Sequence, residues 1–237
     1  MDSVRDGAYH RLLARIQRKY RTITEDLNIG GLKIQFTRVA EPDRVLDEIV
    51  AEEDLREKIS GVRLQDPQHL PYWAELWESA MGIAATVAGM EIGESTRVLD
   101  LGCGMGLAGA AAAARGAEVM LADLETPALL FAKLNTLRLS RRVRVRRVNW
   151  QVDQLGERFD LIVGADIIYE RKQWEFLNEF WKAHLAEGGS ILLGEPGRQS
   201  GDMFKDWIVE RGWELREGSQ RARPDGKAIR IFFLKRG

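Results

Sequence analysis

The stretch Val98-Leu-Asp-Leu-Gly102-Cys-Gly104-Met-Gly106 runs an apolar strand into a turn with glycine at every second position. A strand that must bend sharply into a helix, with a ligand close to its backbone, needs positions without Cβ atoms. Working outward, the residues before the turn read as a strand and 107–115 as an alanine-rich helix. Alternation continues with a strand over 117–122, a helix over 127–139 and a strand over 143–148. A strand over 159–164 is apolar enough to be central in a sheet. A helix over 172–186, ended by Gly188-Gly189, leads to a strand over 190–193. A helix over 202–211 and strands over 213–217 and 228–234 complete the pattern. Seven strands alternating with helices predict an α/β fold: a Rossmann-like, doubly wound, mostly parallel sheet with helices on both faces.

The first 70 residues have a different texture. Residues 8–20 place Leu12, Leu13 and Ile16 among basic positions at helical spacing, giving a face that is either solvated or docked on an acidic partner. Turn residues at 28–31 precede 32–37, which alternates with period two and predicts a strand or hairpin. Glu41-Pro42-Asp43 opens a helix with Val45, Leu46, Ile49, Val50, Leu55 and Ile59 as its apolar stripe. Asp66-Pro67 and Leu70-Pro71 punctuate a joint, so the expected organisation is an extension over 1–70 and a main domain over 71–237.

Composition narrows the function. The 237 residues are 45% hydrophobic and 30% charged, which suits a buried core and argues against disorder. Lys and Arg number 35 against 36 Asp and Glu, so the basic excess of a phosphate-backbone binder is missing. Nucleic acid is therefore disfavoured as a partner. A single cysteine, Cys103, excludes an intrachain disulfide, and with His10, His69 and His184 dispersed no Cys/His zinc spacing exists. The opening MDSVRDG lacks a signal-peptide layout, and the small-apolar stretch 104–114 is too short to span a bilayer. The expectation is a cytoplasmic protein with no membrane partner.

The glycine turn departs from the dinucleotide fingerprint G-x-G-x-x-G, because position 107 is leucine and the third glycine comes one residue early. It resembles motif I of the class I methyltransferases that use S-adenosylmethionine. That cofactor carries no pyrophosphate; its amino-acid end needs backbone groups and a nearby carboxylate, for which Asp100 is the candidate. Asp123 closes the second strand, where a carboxylate accepts hydrogen bonds from ribose hydroxyls; it is also placed to cap the next helix. Trp150, after the third strand, is an adenine-side contact or plain core. Cys103, inside the turn, is a packing residue.

At the fourth strand of the alternation, Gly164-Ala-Asp-Ile-Ile-Tyr169 puts Asp166 and Tyr169 beyond the carboxyl end, where open α/β sheets bind ligands. Base-methylating enzymes carry prolines between these two positions to stack a ring on a flipped base. Ile167-Ile168 argues against that target. Together with Pro71-Tyr-Trp-Ala-Glu-Leu-Trp77-Glu-Ser-Ala80, the turn, Asp123 and Asn149-Trp150, the segment resembles the seven-strand protein-lysine methyltransferases of methyltransferase family sixteen. The likeness is strongest over 70–195. It implies that Trp77, Gly102, Cys103, Gly104, Asp123, Trp150 and Ala165 contact S-adenosylmethionine, and that Asp166 and Tyr169 form the substrate-lysine motif. Relatives acting on electron-transfer flavoprotein are glycine-rich where this chain reads Glu78-Ser-Ala, which leaves the substrate open. Other similar sequences are nicotinamide N-methyltransferase-like, so a small amine is an alternative acceptor, and a non-catalytic cofactor-binding adaptor is another reading.

Methyl transfer from a sulfonium is an in-line displacement that mainly requires a positioned lone pair. A lysine, with a pKa of about 10.4, must first lose a proton. A carboxylate favours the ammonium, so Asp166 is expected to orient the amine and not to act as a strong base. Tyr169 walls the channel. Glu195, read as following the strand over 190–193, is a second substrate-side carboxylate or a surface acid. Trp73 and Trp77, four apart, are expected on one face of a helix following Pro71. Arg141-Arg-Val-Arg-Val-Arg-Arg147 is either an edge strand protected by charge or a patch for acidic protein or RNA. Trp174, Trp181, Trp207 and Trp213 read as core.

Overall fold

The computed structural model describes residues 3–61, 71–221 and 226–237. The Asp66-Pro67 joint and His69 lie outside them. The elements run α1 (Ser3–Gln17), β1 (Thr22–Ile29), β2 (Leu32–Val39), α2 (Pro42–Ser60), α3 (Glu78–Ala88), β3 (Arg97–Leu101), α4 (Leu107–Ala114), β4 (Glu118–Asp123), α5 (Thr126–Leu137), β5 (Val143–Arg147), β6 (Phe159–Ala165), α6 (Trp174–His184), β7 (Leu185–Glu195), α7 (Gln199–Val209), β8 (Trp213–Arg221) and β9 (Ala228–Arg236).

Seven strands form one sheet in the order β5-β4-β3-β6-β7-β9-β8. The first five in that order pair in parallel, while β9 pairs antiparallel to β7 and β8 antiparallel to β9. The chain winds outward from β3 to β5, then restarts at β6 on the other side of β3. The carboxyl ends of β3 and β6 therefore flank the switch point, where open sheets leave a crevice.

Strand alternation divides the core in two. Val98, Val119, Leu121, Leu161, Val163 and Leu192 face one way, with α3, α4, α5 and the N-terminal elements. Leu99, Leu101, Met120, Ile162, Leu193 and Phe232 face the other, with Trp174, Leu177, Trp181, Phe204 and Trp213. Each fully buried large apolar side chain contributes about 1.5–3 kcal/mol. The four tryptophans expected in the core are there, with Trp207 only partly buried beside Arg211.

The N-terminal strands form a separate two-stranded antiparallel hairpin turning at Gly30-Gly31. It covers α5. Asn135 of α5 accepts the Thr37 N–H at 2.7 Å through Oδ1, and its amide nitrogen donates to Thr37 O and to Met105 O, both at 2.9 Å. One buried side chain thus fastens the hairpin to the glycine turn. Tyr20 of the same region packs edge-on against Trp73 and Phe131 at 5.4 and 5.9 Å between ring centroids.

Three local expectations are corrected. No single helix follows Pro71: a 3-10 turn over Tyr72–Ala74 gives way to extended backbone at Glu75, and Trp77 is the extended residue before α3. Trp73 and Trp77 consequently point to different surroundings, core and cleft. The helix before Gly188-Gly189 ends at His184, because β7 already pairs Leu185 with Phe159 and then shifts register to resume at Ser190. That strand runs on to include Glu195. The arginine run forms edge strand β5, the first of its two expected readings, and there Arg144 pairs with Glu118 and Glu157 at 3.3 and 2.9 Å.

Candidate active site

The turn after β3 keeps Gly102 at φ +66° and Gly104 at φ +52°, a region L side chains rarely adopt. A Cβ on Gly102 would fall 2.8 Å from Ile167 Cγ2, so the turn is pressed against the loop after β6. At Gly104 the nearest atom to such a Cβ would be Trp73 O at 3.8 Å, which leaves the backbone open on that side. Cys103 packs inside, with its thiol pushed well up by burial. Trp150 lies across the turn, 3.6 Å from the position of a Gly102 Cβ, with Nε1 donating to Gln173 Oε1 at 3.1 Å.

Two carboxylates sit behind the turn, and they do different things. Asp100 is 2% exposed and its Oδ2 accepts the Gly109 N–H at 2.7 Å, on the α4 side of the sheet. It anchors the first turn of α4 from below, whereas the sequence suggested a direct contact with the cofactor. Burial raises it to about 7. Asp123 Oδ2 accepts the Gly104 N–H at 2.8 Å and Oδ1 the Glu125 N–H at 2.9 Å. The cap position of α5 itself belongs to Glu125. Burial lifts Asp123 to about 6, and each of its oxygens retains a further lone pair.

Across the switch point, Ala165 ends β6, and Asp166 continues the ladder by donating its N–H to Gly194 O at 2.9 Å. Asp166 has φ +55° and is the one non-glycine residue with positive φ among the described residues. Such backbone costs on the order of 1–3 kcal/mol and clusters at functional sites. The residue is 8% exposed and its carboxylate is gripped by Arg198, Nε to Oδ1 at 3.1 Å and Nη2 to Oδ2 at 2.7 Å. Ile167 and Ile168 turn inward as core, so this loop is rigid through packing where proline is absent.

Aromatic rings complete the rim. Tyr169 meets Tyr72 edge-on at 5.9 Å, Tyr72 meets Trp77 at 6.2 Å, and the Arg198 guanidinium lies 6.0 Å from the Trp77 ring centre. Trp77 Nε1 donates to Tyr72 O at 2.9 Å, fixing the segment before α3. Burial, and next the charge of Glu170, raises the Tyr169 phenol above its ordinary value, so it keeps its proton near neutrality. Glu195 is corrected: it is 1% exposed, and its oxygens accept the Arg198 N–H, the Gly197 N–H at 2.9 Å and Arg230 Nε at 2.6 Å. It anchors the loop after β7 and faces no open space.

The sequence reading grouped Trp77 with Gly102, Gly104, Asp123 and Trp150 as cofactor contacts and set Asp166 and Tyr169 apart as a substrate motif; the structure places Gly102, Gly104, Asp123 and Trp150 around one turn and Trp77 on the rim with Tyr72 and Tyr169. The sequence reading missed Tyr72, a neighbour of the quoted tryptophan, and Arg198, three residues after Glu195 in Gly194-Glu-Pro-Gly-Arg198.

A family profile described as lysine methyltransferase matches residues 71–205, more than half the chain. The chain belongs to this family. The electron transfer flavoprotein beta subunit lysine methyltransferase of Danio rerio is 27% identical over 144 residues, covering 60% of this chain and 55% of that protein. Protein N-lysine methyltransferase METTL21A of Danio rerio is 32% identical over 141 residues, covering 54% of this chain and 62% of that protein. The chain thus spans little more than half the length of these relatives. Among solved structures, glycopeptide N-methyltransferase MtfA complexed with S-adenosyl-L-methionine superposes with a TM-score of 0.58 at 15% identity, covering 73% of this chain and all of that one, a likeness of fold.

S-adenosylmethionine is the cofactor of this lysine methyltransferase family member, and the residues present suit it. The open backbone at Gly104 and the free lone pairs of Asp123 lie on adjacent strand ends, as an amino-acid tail and a ribose require.

Proposed function

We propose that the protein transfers a methyl group from S-adenosylmethionine to the side-chain amine of a lysine in a protein substrate. One observation carries the choice of acceptor: Asp166, an acceptor-only group, sits beneath a rim of Tyr72, Trp77 and Tyr169 next to the glycine turn. Aromatic faces favour a cationic or methylated amine, and a carboxylate oxygen takes its N–H. Tyr72 and Tyr169 are 42% and 45% exposed. A rim this open suits a long side chain reaching in from a protein surface better than a small molecule, whose sites usually bury 70–90% of it.

Bound at the turn, the cofactor supplies a methyl on a positively charged sulfur. A lysine nitrogen that had given its proton to water would form the new N–C bond as the S–C bond broke, with the electron pair staying on sulfur. The chain's part is to point the lone pair and exclude competing geometries. Asp166 and Tyr169 do this in the reading supported here. Incubation of the protein with methyl-labelled cofactor and a cell lysate, separated into protein, RNA and small-molecule fractions, tests it. Label on lysine in the protein fraction is expected; label confined to small amines would replace this acceptor with another, and cofactor binding without label anywhere would favour an adaptor.

A further inference from the structure

An ionised carboxylate is an awkward partner for an amine that must be neutral to react, since it favours the ammonium form. The geometry around Asp166 resolves this. Arg198 meets both carboxylate oxygens in a two-point clamp, at 3.1 and 2.7 Å. Arg198 is itself held at both ends of its backbone: its N–H is bonded to Glu195 and its carbonyl accepts Arg230 Nη2 at 2.8 Å. The guanidinium is further placed by the Trp77 ring.

We propose that Arg198 is a positioning residue for the acceptor amine: it fixes the direction of the Asp166 carboxylate and cancels its charge, leaving a hydrogen-bond acceptor that does not hold the lysine in its protonated form. The inference rests on the lysine reading above. Each Asp166 oxygen engages Arg198 through one lone pair and keeps another for the substrate N–H. An arginine does this better than a lysine because its planar fork stays charged at any working pH and matches a carboxylate at two points.

The charged and titratable groups facing the pair come from several elements. Tyr169 follows in the same loop, with Glu170 beside it, and Tyr72 packs on Tyr169 from the segment before α3. Glu195 ends β7, Arg230 belongs to β9, and Asp202 of α7 binds Arg230 Nη1 at 2.5 Å. Signs alternate along Asp166, Arg198, Glu195, Arg230 and Asp202. Removing Arg198 leaves three carboxylates and one guanidinium, and the uncompensated charge then falls on Asp166.

The test is single-turnover methylation with enzyme in excess, using methyl-tritiated S-adenosylmethionine and the lysate protein fraction, from pH 6.5 to 9.5. The parent, Arg198→Gln and Arg198→Lys are compared, with thermal unfolding and S-adenosylhomocysteine affinity measured alongside. Arg198→Met, which keeps a stem against Trp77, replaces the glutamine variant if that one fails to fold. The neutral variant should lose about tenfold or more near pH 7.5 and recover toward parental rates at pH 9.5, its pH limb moved up by about one unit or more. Arg198→Lys should keep the parental profile at a lower plateau. A neutral variant slowed equally at every pH, or not slowed, overturns the role of Arg198 while label on lysine leaves the lysine reading standing. Label absent from protein lysine in the parent overturns that reading, and this role with it.

Discussion

Asp123 accepts the backbone N–H of Gly104 at 2.8 Å, so the carboxylate at the end of β4 is bonded to the turn that follows β3. Two strand ends become one rigid surface. If Asp123 also accepts the ribose hydroxyls, as its free lone pairs allow, Asp123→Ala removes that acceptor and loosens the turn together. A hydrogen bond to a charged group contributes about 1.5–3 kcal/mol, so S-adenosylhomocysteine affinity should fall at least tenfold in calorimetry. Unchanged affinity in a folded variant would confine Asp123 to holding the loop.

The same residue predicts a pH effect. Burial raises Asp123 to about 6 in the free protein, so much of it is neutral at pH 5 and ionised at pH 7.5. The ionised form makes the stronger bonds to hydroxyls. Cofactor-product affinity should weaken as pH falls through 6, with protons released on binding there. Calorimetry in buffers of different ionisation heat measures that release, and Asp123→Asn should diminish it.

Asp166→Ala and Tyr169→Ala should bind cofactor nearly as well as the parent, because the turn and Asp123 remain. Catalysis should drop on the order of a hundredfold, the scale of a misplaced reacting group. Tyr169→Phe separates ring from hydroxyl: activity retained means a wall, activity lost means a bond to the amine. The readout is single-turnover methylation beside cofactor affinity; parental rates in both alanine variants would remove Asp166 and Tyr169 from the site.

Buried His184 accepts the Leu155 N–H at Nε2, 2.9 Å, and its Nδ1 lies 2.7 Å from Phe180 O, which sets the tautomer with the proton on Nδ1. Burial lowers its pKa below the ordinary value. A group depressed in this way stabilises the fold above about pH 6.5 and loses that contribution as pH falls through its folded value. Asp100 and Asp123 act in the opposite sense, since their raised values relieve a cost on acidification. His184→Leu should accordingly be less stable than the parent at pH 7.5, by roughly 1–3 kcal/mol for the unsatisfied Leu155 N–H, with the gap narrowing at pH 5. Thermal unfolding at both pH values checks it.

Asn135→Ala should cost roughly 2–4 kcal/mol, because it strips partners from three buried backbone groups at once. Hydrogen exchange should quicken both in 32–39 and in 102–106. Faster exchange in the hairpin alone would mean that the turn is held independently.

What the sequence made legible was whatever depends on local order. Alternation of strand and helix patterns gave the doubly wound sheet, and glycine spacing located the turn. Asp123 and Asp166 were found because one ends an apolar strand and the other follows directly on one, and Tyr169 because it lies three residues on in the same short loop. Contacts made by distant residues left no such trace. Asn135 meets Thr37 across 98 positions, and nothing in a helix pattern announces it. Arg198 meets Asp166 across 32 positions, and as one arginine among many it carries no periodic signal. The tryptophans at 73 and 77 misled for the converse reason: a spacing that fits a helix was read where extended backbone at Glu75 separates them.

The fastening of the hairpin through Asn135 has a practical side. The part of this chain that family resemblance recognises begins at Pro71 and stops at Lys205. A chain trimmed to those ends would shed the hairpin that covers α5, uncovering Phe131 and Trp73 to water. It would also shed β9, so β7 would present its backbone as a bare edge, inviting association between copies. The recognisable segment is thus shorter than the stretch of polypeptide whose contacts cover α5 and the edge of β7.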